Sequence, residues 1–364
     1  MRVALIALYW KGRGGATASA LTYIPGLRHW GVDINLVAMS CRGQYKKSEP
    51  PTKLVYAGGI EESIDVTRLR YDGAAEYLNK NYDLVHFLTM GETSQDERPA
   101  FMDVVEKLKV PWMFSVHAPN DFRRYKFWEE QVTLGDFRGA HFVSESLRIH
   151  GIATYPKYFN DINTVSSGPI FLPAQVDIGT EKEPLVVQHS RLASIKGAHH
   201  TVEMADELLT IGISEIRVYG RCEFFSYDQR LKSMPNYDLV TWPGPFEFHD
   251  VPIIMKPAMF DLDFTYHGHS LDDKRPQYTA LEAAAYGAIP VIQDQWCSDL
   301  LRDGDNVIAV RHGHEVEDTL RGIESLLNDS DRRATMINNN KEFVTKWFER
   351  SKVLADFYSR ITEI

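Results

Sequence analysis

Residues 277–292 read QYTALEAAAYGAIPVI. The pattern predicts a helix of small side chains over 277–286, a stop at Gly287, and a buried strand over Ile289–Ile292. Alanines ahead of the glycine let such a helix lie close to a sheet. The segment is one unit of a parallel α/β fold, and the rest of the chain can be read outward from it.

Upstream, Leu185–His189, Glu215–Tyr219, Leu239–Trp242 and Leu262–Tyr266 read as strands, with a helix over Thr201–Leu209. Downstream, Val307–Val310 is a last strand, and helices fill 316–327 and 332–364. A second set of elements precedes these. Val3–Tyr9 (VALIALY) is a continuous apolar run, as expected of a strand buried on both faces. A helix over 18–30 stops at Gly31, and Val32–Met39 is the next strand. Leu54–Ala57, Tyr82–Leu88, Val110–Val116 and Ala140–Ser144 read as further strands, with helices over 72–79 and 98–109. Over Asn160–Lys182 the periodicity fails, and Ser166-Ser167-Gly168-Pro169 and Pro173 mark a connection.

The chain has 364 residues, more than a single core of ~250–300 residues accommodates. The expectation is two Rossmann-like parallel-sheet domains, 1–170 and 171–340, and a helical tail over 341–364. Hydrophobic residues make up 44% and charged residues 25%, which excludes a mostly disordered chain. No apolar run approaches the ~18–20 residues that span a bilayer. Met1–Trp10 is short for a leader, and Lys11 and Arg13 follow at once without a small-residue cleavage site, so a strand is expected there. Cys41, Cys222 and Cys297 form no CxxC pair; this argues against a disulfide framework or thiolate zinc site and fits a cytoplasmic protein.

The net charge of −10 is unevenly spread. Residues 1–170 carry +1 and the remainder −11, while the first 50 residues carry +5. The acidic balance belongs to the second half, and a polyanionic partner is compatible with the first.

Three places carry chemistry. The loop Gly12-Arg13-Gly14-Gly15-Ala16 follows the first strand and precedes a helix. It reads either as a cradle whose backbone N–H groups meet an anion or as a tight turn; it is neither a P-loop nor GxGxxG. Arg191 and Lys196 share the loop after Leu185–His189. A guanidinium fork and a point charge five residues apart suit a diphosphate, or else are two solvated cations. Glu282 lies in the first half of its helix, where the dipole favours a carboxylate. It is placed to accept from a ribose diol, or else caps the helix start in solvent.

SRLASIKG (190–197) beside YTALEAAAYGAIPVI (278–292), in the second of two α/β halves, resembles the retaining GT-B glycosyltransferases. The likeness in order and spacing covers about residues 1–330. It implies a GT-B fold whose final helix crosses back onto the first domain, with Trp347, Phe348, Phe357 and Tyr358 supplying the tail's contacts. It implies a UDP-sugar donor and no required cofactor or metal. Arg191 and Lys196 would hold the diphosphate, Glu282 the ribose, and His117, closing a strand of the first domain, would lie near the transferred sugar. Gly14, Gly15, Gly220, Arg221, His267, Lys274, Tyr278 and Thr279 would complete the donor site. Catalysis would fall to His117, Arg191 and Lys196.

The family pattern Glu-x₇-Glu is broken. Lys274 stands eight residues before Glu282, with Asp272 and Asp273 ahead of it, so the first carboxylate is missing or displaced and this edge is basic. A narrower likeness runs through His117, Asp121-Phe122-Arg123-Arg124, GAHFVSES (139–146), RLASIKG and KRPQYTALEAAAYGAIPV, to the DNA α-glucosyltransferases of T-even phages. That group also carries a basic residue at the first Glu's place. It implies a hydroxymethylated pyrimidine in duplex DNA as acceptor, a monomeric protein, and Lys11, Arg13, Arg123 and Arg124 on the DNA. A polysaccharide, lipid-linked or small-molecule acceptor, and a non-catalytic nucleotide-sugar binding module, are the competing expectations.

Other signals read as structural. Asp261-Leu262-Asp263 spells DxD, but at the start of a strand it is expected to be a pair of solvated carboxylates on one face. His267-Gly268-His269 and His312-Gly313-His314 lack a paired ligand and read as loop histidines. Phe122, Tyr125, Phe127 and Trp128 among Arg123, Arg124 and Lys126 read either as a nucleic-acid platform or as a segment half in the core. No GxSxG or HExxH is present.

Overall fold

Val3, Ala4, Leu5 and Ile6 are each fully buried, as a strand covered on both faces requires. The computed structural model describes residues 1–8, 15–40, 52–55, 61–64, 66–88, 98–117, 121–124, 128–171, 182–247, 250–266 and 276–363. The chain divides into two compact units: Met1–Leu54, Glu61–Leu172 and Phe348–Ile364 form one, and Val55–Ile60 with Pro173–Trp347 the other.

The strands before residue 170 are β1 (Arg2–Leu8), β2 (Asp33–Ser40), β3 (Thr52–Val55), β4 (Glu61–Ile64), β5 (Val66–Arg70), β6 (Leu84–Phe87), β7 (Trp112–Val116), β8 (Phe137–Phe142) and β9 (Thr164–Ser166). Seven form one sheet in the order β5-β2-β1-β6-β7-β8-β9, and β3 and β4 pair separately. The neighbours in the large sheet run parallel. The later strands are β10 (Glu183–His189), β11 (Glu215–Tyr219), β12 (Thr241–Gly244), β13 (Ala258–Asp263), β14 (Ile289–Gln293) and β15 (Ile308–Val310). They form a six-stranded parallel sheet in the order β12-β11-β10-β13-β14-β15. In the second unit the order reverses between β10 and β13. Ligands of open α/β sheets sit at such a switch point, beyond the carboxyl ends of the strands.

The helix Tyr278–Ala285 ends as the sequence predicts. Gly287 takes φ +74°, its N–H donates to Ala284 O at 3.2 Å, and Ala288 N–H donates to Ala283 O at 2.9 Å. This pair of bonds satisfies the last helical carbonyls and requires a residue free to adopt positive φ. Ala280, Ala283 and Ala284 are fully buried, so the helix lies close on its sheet.

Several elements escape local reading. Val66–Arg70 is an edge strand in which polar Thr67, Arg68 and Arg70 outnumber the apolar residues without alternating, and Thr164–Ser166 joins the opposite edge of the sheet inside the stretch read as a connection. Helices Glu145–Thr154 and Phe225–Lys232 were not anticipated; Ser144 caps the first by accepting from Leu147 N–H at 3.2 Å. The tail is two helices, Ser330–Arg350 and Lys352–Thr362, broken at Ser351.

Residues from Phe348 onward pack on the first unit. Phe348 stacks on Trp30 with ring centroids 5.2 Å apart, and Trp30 Nε1–H donates to Ser351 Oγ at 2.9 Å. Arg360 donates to Ile162 O at 3.1 Å. Phe357, Tyr358 and Ile361 are buried. Trp347 corrects the expectation for the tail: it is buried beside Phe343 and belongs to the second unit, because the division between the units falls just after it.

Candidate functional site

Buried strands end here in polar residues. β10 closes on Gln188 and His189, β13 on Asp261 and Asp263, and all four are essentially inaccessible. β10 and β13 are neighbours, with Val187 beside Asp261 in register. Alternation puts His189 on the same face as Val187, and Asp263 on the same face as Asp261.

Asp261 and Glu282 flank the His189 ring. Nδ1 lies 2.9 Å from Asp261 Oδ1, and Nε2 lies 2.7 Å from Glu282 Oε2. Burial alone would pull the imidazolium's pKa down, but the two carboxylates overcome that and raise it. Asp261 is itself raised by burial, with His189 opposing the shift, and its Oδ2 is buried without a partner among the described residues. The carboxylates of the DxD pair are therefore interior groups. The expectation of solvated side chains is corrected, because β13 is a central strand covered on both faces. Glu282 is likewise buried, which removes the solvent-exposed cap as its role.

Asp263 organises the other side. Its Oδ1 accepts from Thr265 N–H at 2.9 Å and from the Thr265 hydroxyl, and its Oδ2 accepts from the Thr279 hydroxyl. Lys196 Nζ donates to Thr265 Oγ1 at 2.9 Å. Burial would raise the Asp263 pKa, but the Lys196 charge and these hydroxyls hold it below the ordinary carboxylate value. Gln188 Nε2 donates to Lys196 O at 2.9 Å, and Tyr266 N–H to Ile195 O at 3.1 Å, so the 190–197 loop is bound to both strand ends.

Arg191 is exposed and pairs with Glu223 at 3.2 Å. Its loop is tied to β11 by Ser190 N–H to Tyr219 O at 3.2 Å and Leu192 N–H to Arg221 O at 3.0 Å. Gly220 sits at this crossing with φ +145°, and a Cβ there would lie 1.9 Å from Ser190 O. Only glycine permits the approach. Arg221 is exposed beside it, and Tyr278 and Thr279 open the helix that carries Glu282.

In the first unit His117 follows β7. Its N–H donates to Asp121 Oδ2 at 2.7 Å, and its Nε2 lies 2.6 Å from Leu88 O, beyond the end of β6. Gly15 begins the helix Gly15–His29. Lys11, Arg13, Gly14, His267 and Lys274 lie outside the described residues, as do the side chains of Arg123 and Arg124 in the turn Asp121–Arg124. Phe122 and Trp128 are buried around Phe159, which supports a core role for those two over a stacking platform; Tyr125 and Phe127 lie outside the described residues. His312 and His314 bond to Glu315 and Glu317, as loop histidines do. No group of three or more His, Cys, Asp or Glu placed to hold a metal ion occurs among the described residues. None of the described helices is long and apolar enough to cross a membrane.

The structure thus joins Lys196 and Thr279 through Asp263 and Thr265, and sets Glu282 beside them. The sequence reading missed His189, Asp261, Asp263 and Thr265 as site residues. The available signal was a pair of apolar strands each ending in polar side chains.

No family model matches the chain, and no curated protein matches its sequence. Solved structures do match. An α-glucosyltransferase in complex with UDP and a 13-mer DNA containing an HMU base aligns at TM-score 0.75 and 14% identity, over 100% of this chain and 99% of that one. The α-glucosyltransferase with UDP-glucose and DNA containing an abasic site aligns at TM-score 0.73 and 15% identity, over 100% and 99%. HepE from Anabaena in complex with UDP aligns at TM-score 0.67 and 14% identity, over 99% and 100%. With two parallel-sheet units and a C-terminal helix packed on the first, the chain has the GT-B fold of these glycosyltransferases.

Proposed function

We propose that this protein is a glycosyltransferase that moves a sugar from a UDP-sugar to a hydroxyl group with retention of anomeric configuration, and that its acceptor is a hydroxymethylated pyrimidine in duplex DNA. One observation carries the donor reading. At the β10–β13 switch point an ammonium, Lys196, and a carboxylate, Glu282, are each held by buried partners, which suits a diphosphate beside a ribose. The solved neighbours bound to UDP or UDP-glucose support it.

In this reading Arg191 and Lys196 take the diphosphate and Glu282 the ribose. Gly14, Gly15, Gly220, Arg221, His267, Lys274, Tyr278 and Thr279 complete the donor cradle, and His117 orients the sugar. The acceptor oxygen bonds to the anomeric carbon on the face from which the diphosphate departs. The bond from that carbon to the diphosphate oxygen breaks, and the acceptor proton passes to the leaving diphosphate. Arg191 and Lys196 offset the negative charge growing there, an effect of about 2–4 kcal/mol per well-placed donor.

The DNA acceptor is supported by the basic first 50 residues and by the likeness to a DNA-bound α-glucosyltransferase. Lys11, Arg13, Arg123 and Arg124 would meet phosphates, and the target base would be turned out of the duplex. A glycan or small-molecule acceptor is the second reading, favoured by the likeness to HepE, of which one solved complex holds UDP and glucose. Intact-mass analysis of DNA containing hydroxymethylcytosine or hydroxymethyluracil, after incubation with a panel of UDP-sugars, tests the proposal. A gain of one sugar per modified base is expected. Transfer only to non-DNA hydroxyls would replace the acceptor. Tight UDP binding with no turnover on any donor would replace the enzyme with a binding module.

A further inference from the structure

Both nitrogens of His189 face carboxylate oxygens, which in the ionised state only accept hydrogen bonds. Both nitrogens therefore donate, and the ring is an imidazolium locked between β13 and the helix Tyr278–Ala285. Glu282 carries three side-chain torsions, and holding such a chain in one rotamer is entropically unfavourable. The His189 bond occupies Oε2; no other hydrogen bond to the Glu282 carboxylate is found among the described residues. Oε1 is thus the oxygen left for a ligand, and its direction is set by the bond on its twin. Asp261, on the far nitrogen, is inaccessible and holds the ring from behind.

We propose that His189 and Asp261 are positioning residues of the donor site: His189 orients Glu282 so that Oε1 accepts from the ribose hydroxyls, and Asp261 holds His189 in that orientation. The inference rests on the nucleotide-sugar reading above and adds two residues that the family pattern does not mark. It also gives the DxD pair a role as two buried braces, one behind the carboxylate and one behind the Lys196 ammonium.

Calorimetric titration of the full chain with UDP and with 2′,3′-dideoxyuridine diphosphate tests it. Wild type is expected to favour UDP by about 10-fold or more, as loss of a charge-assisted hydrogen bond implies. In His189→Phe the affinity for UDP should fall about 10-fold while that for the dideoxy analogue barely changes, so the ratio approaches one. His189→Gln, whose amide can still donate to Glu282, should recover part of the ratio. Because His189→Phe leaves Asp261 buried without a partner, the same ratio is read in Asp261→Asn, where a several-fold decrease is expected. Parallel loss of both affinities, or a wild-type ratio in folded His189→Phe or Asp261→Asn, would overturn the inference and leave the donor reading standing. A wild-type protein that binds no UDP would overturn both.

Discussion

Tyr358, in the last helix, donates its hydroxyl hydrogen to His86 Nδ1 at 2.5 Å, across 272 residues of sequence. The bond begins a buried chain. His86 Nε2 lies 2.7 Å from Ser115 Oγ, Ser115 Oγ 2.9 Å from His141 Nδ1, and His141 Nε2 2.8 Å from Ser167 Oγ. Ser167 donates to Gly168 O at 3.2 Å. A carbonyl can only accept, so it sets the direction of every link. Both histidines are then neutral and protonated on Nε2, and each member donates once and accepts once, except Tyr358 at the head and the carbonyl at the end. The first unit is fastened to the tail by a polar interior in which these groups are satisfied.

Tyr358→Phe removes the head of this chain and leaves His86 Nδ1 buried without a donor. Stability should fall by about 1–3 kcal/mol, the usual cost of an unsatisfied buried group. Urea unfolding at pH 7 measures it, and a change below the error of the midpoint would contradict the role assigned to the tail.

The same histidines predict an acid response. Burial, reinforced by the charge of His117, pushes His86 down to about 3, and burial holds His141 well below its ordinary value. A histidine whose pKa is lower folded than unfolded stabilises the fold above the unfolded pKa, near 6.5, and loses that contribution as pH falls toward the folded value. Each should cost about 1.4 kcal/mol per pH unit in that window. His199 and His200, half-buried and also lowered, add a smaller slope of the same sign. His189 and Asp261, both raised, act in the opposite sense: each holds its proton more tightly in the fold, so each gains stability as pH falls and offsets part of this slope. The unfolding free energy should be lower at pH 5.5 than at pH 6.5 by about 2 kcal/mol; equal values would show that the pair is not buried neutral.

Gly220→Ala places a methyl group against Ser190 O at a backbone angle that L-residues rarely adopt. The crossing between β11 and the 190–197 loop must open. UDP affinity should drop at least about 10-fold, with a stability loss of about 1–3 kcal/mol. Wild-type affinity by calorimetry would mean that the loop does not carry the diphosphate.

Lys196→Met keeps the stem of the side chain and removes its charge. Transfer should slow by about 10²–10³ in kcat. Thr265→Val, which deletes the hydroxyl between Asp263 and Lys196, should lower kcat/KM by about 10-fold. Initial rates with a saturating UDP-sugar measure both. A Lys196→Met enzyme within a factor of two of wild type would remove Lys196 from the chemistry.

Local pattern determined the order and kind of most elements. The apolar runs of Val3–Leu8 and Ile289–Ile292, the alanine helix and the glycine that stops it are short-range features, because burial on a strand or a helix face repeats within a few residues. The cations of 190–197 and the carboxylate of Glu282 were legible for the same reason: each stands at a fixed offset from a strand or a helix start. Only tertiary structure decided what those groups meet. His189 reaches Asp261 and Glu282 at separations of 72 and 93 residues, and Lys196 reaches Thr265 at 69. Such contacts depend on β10 lying beside β13 and on the register between them. Strand order and register are set by the packing of the whole sheet, to which no single segment holds the key. The polar chain from Tyr358 to Gly168 was hidden by the same cause. Its members look like scattered polar residues until the tail folds back onto the first sheet and desolvation obliges each of them to find a partner.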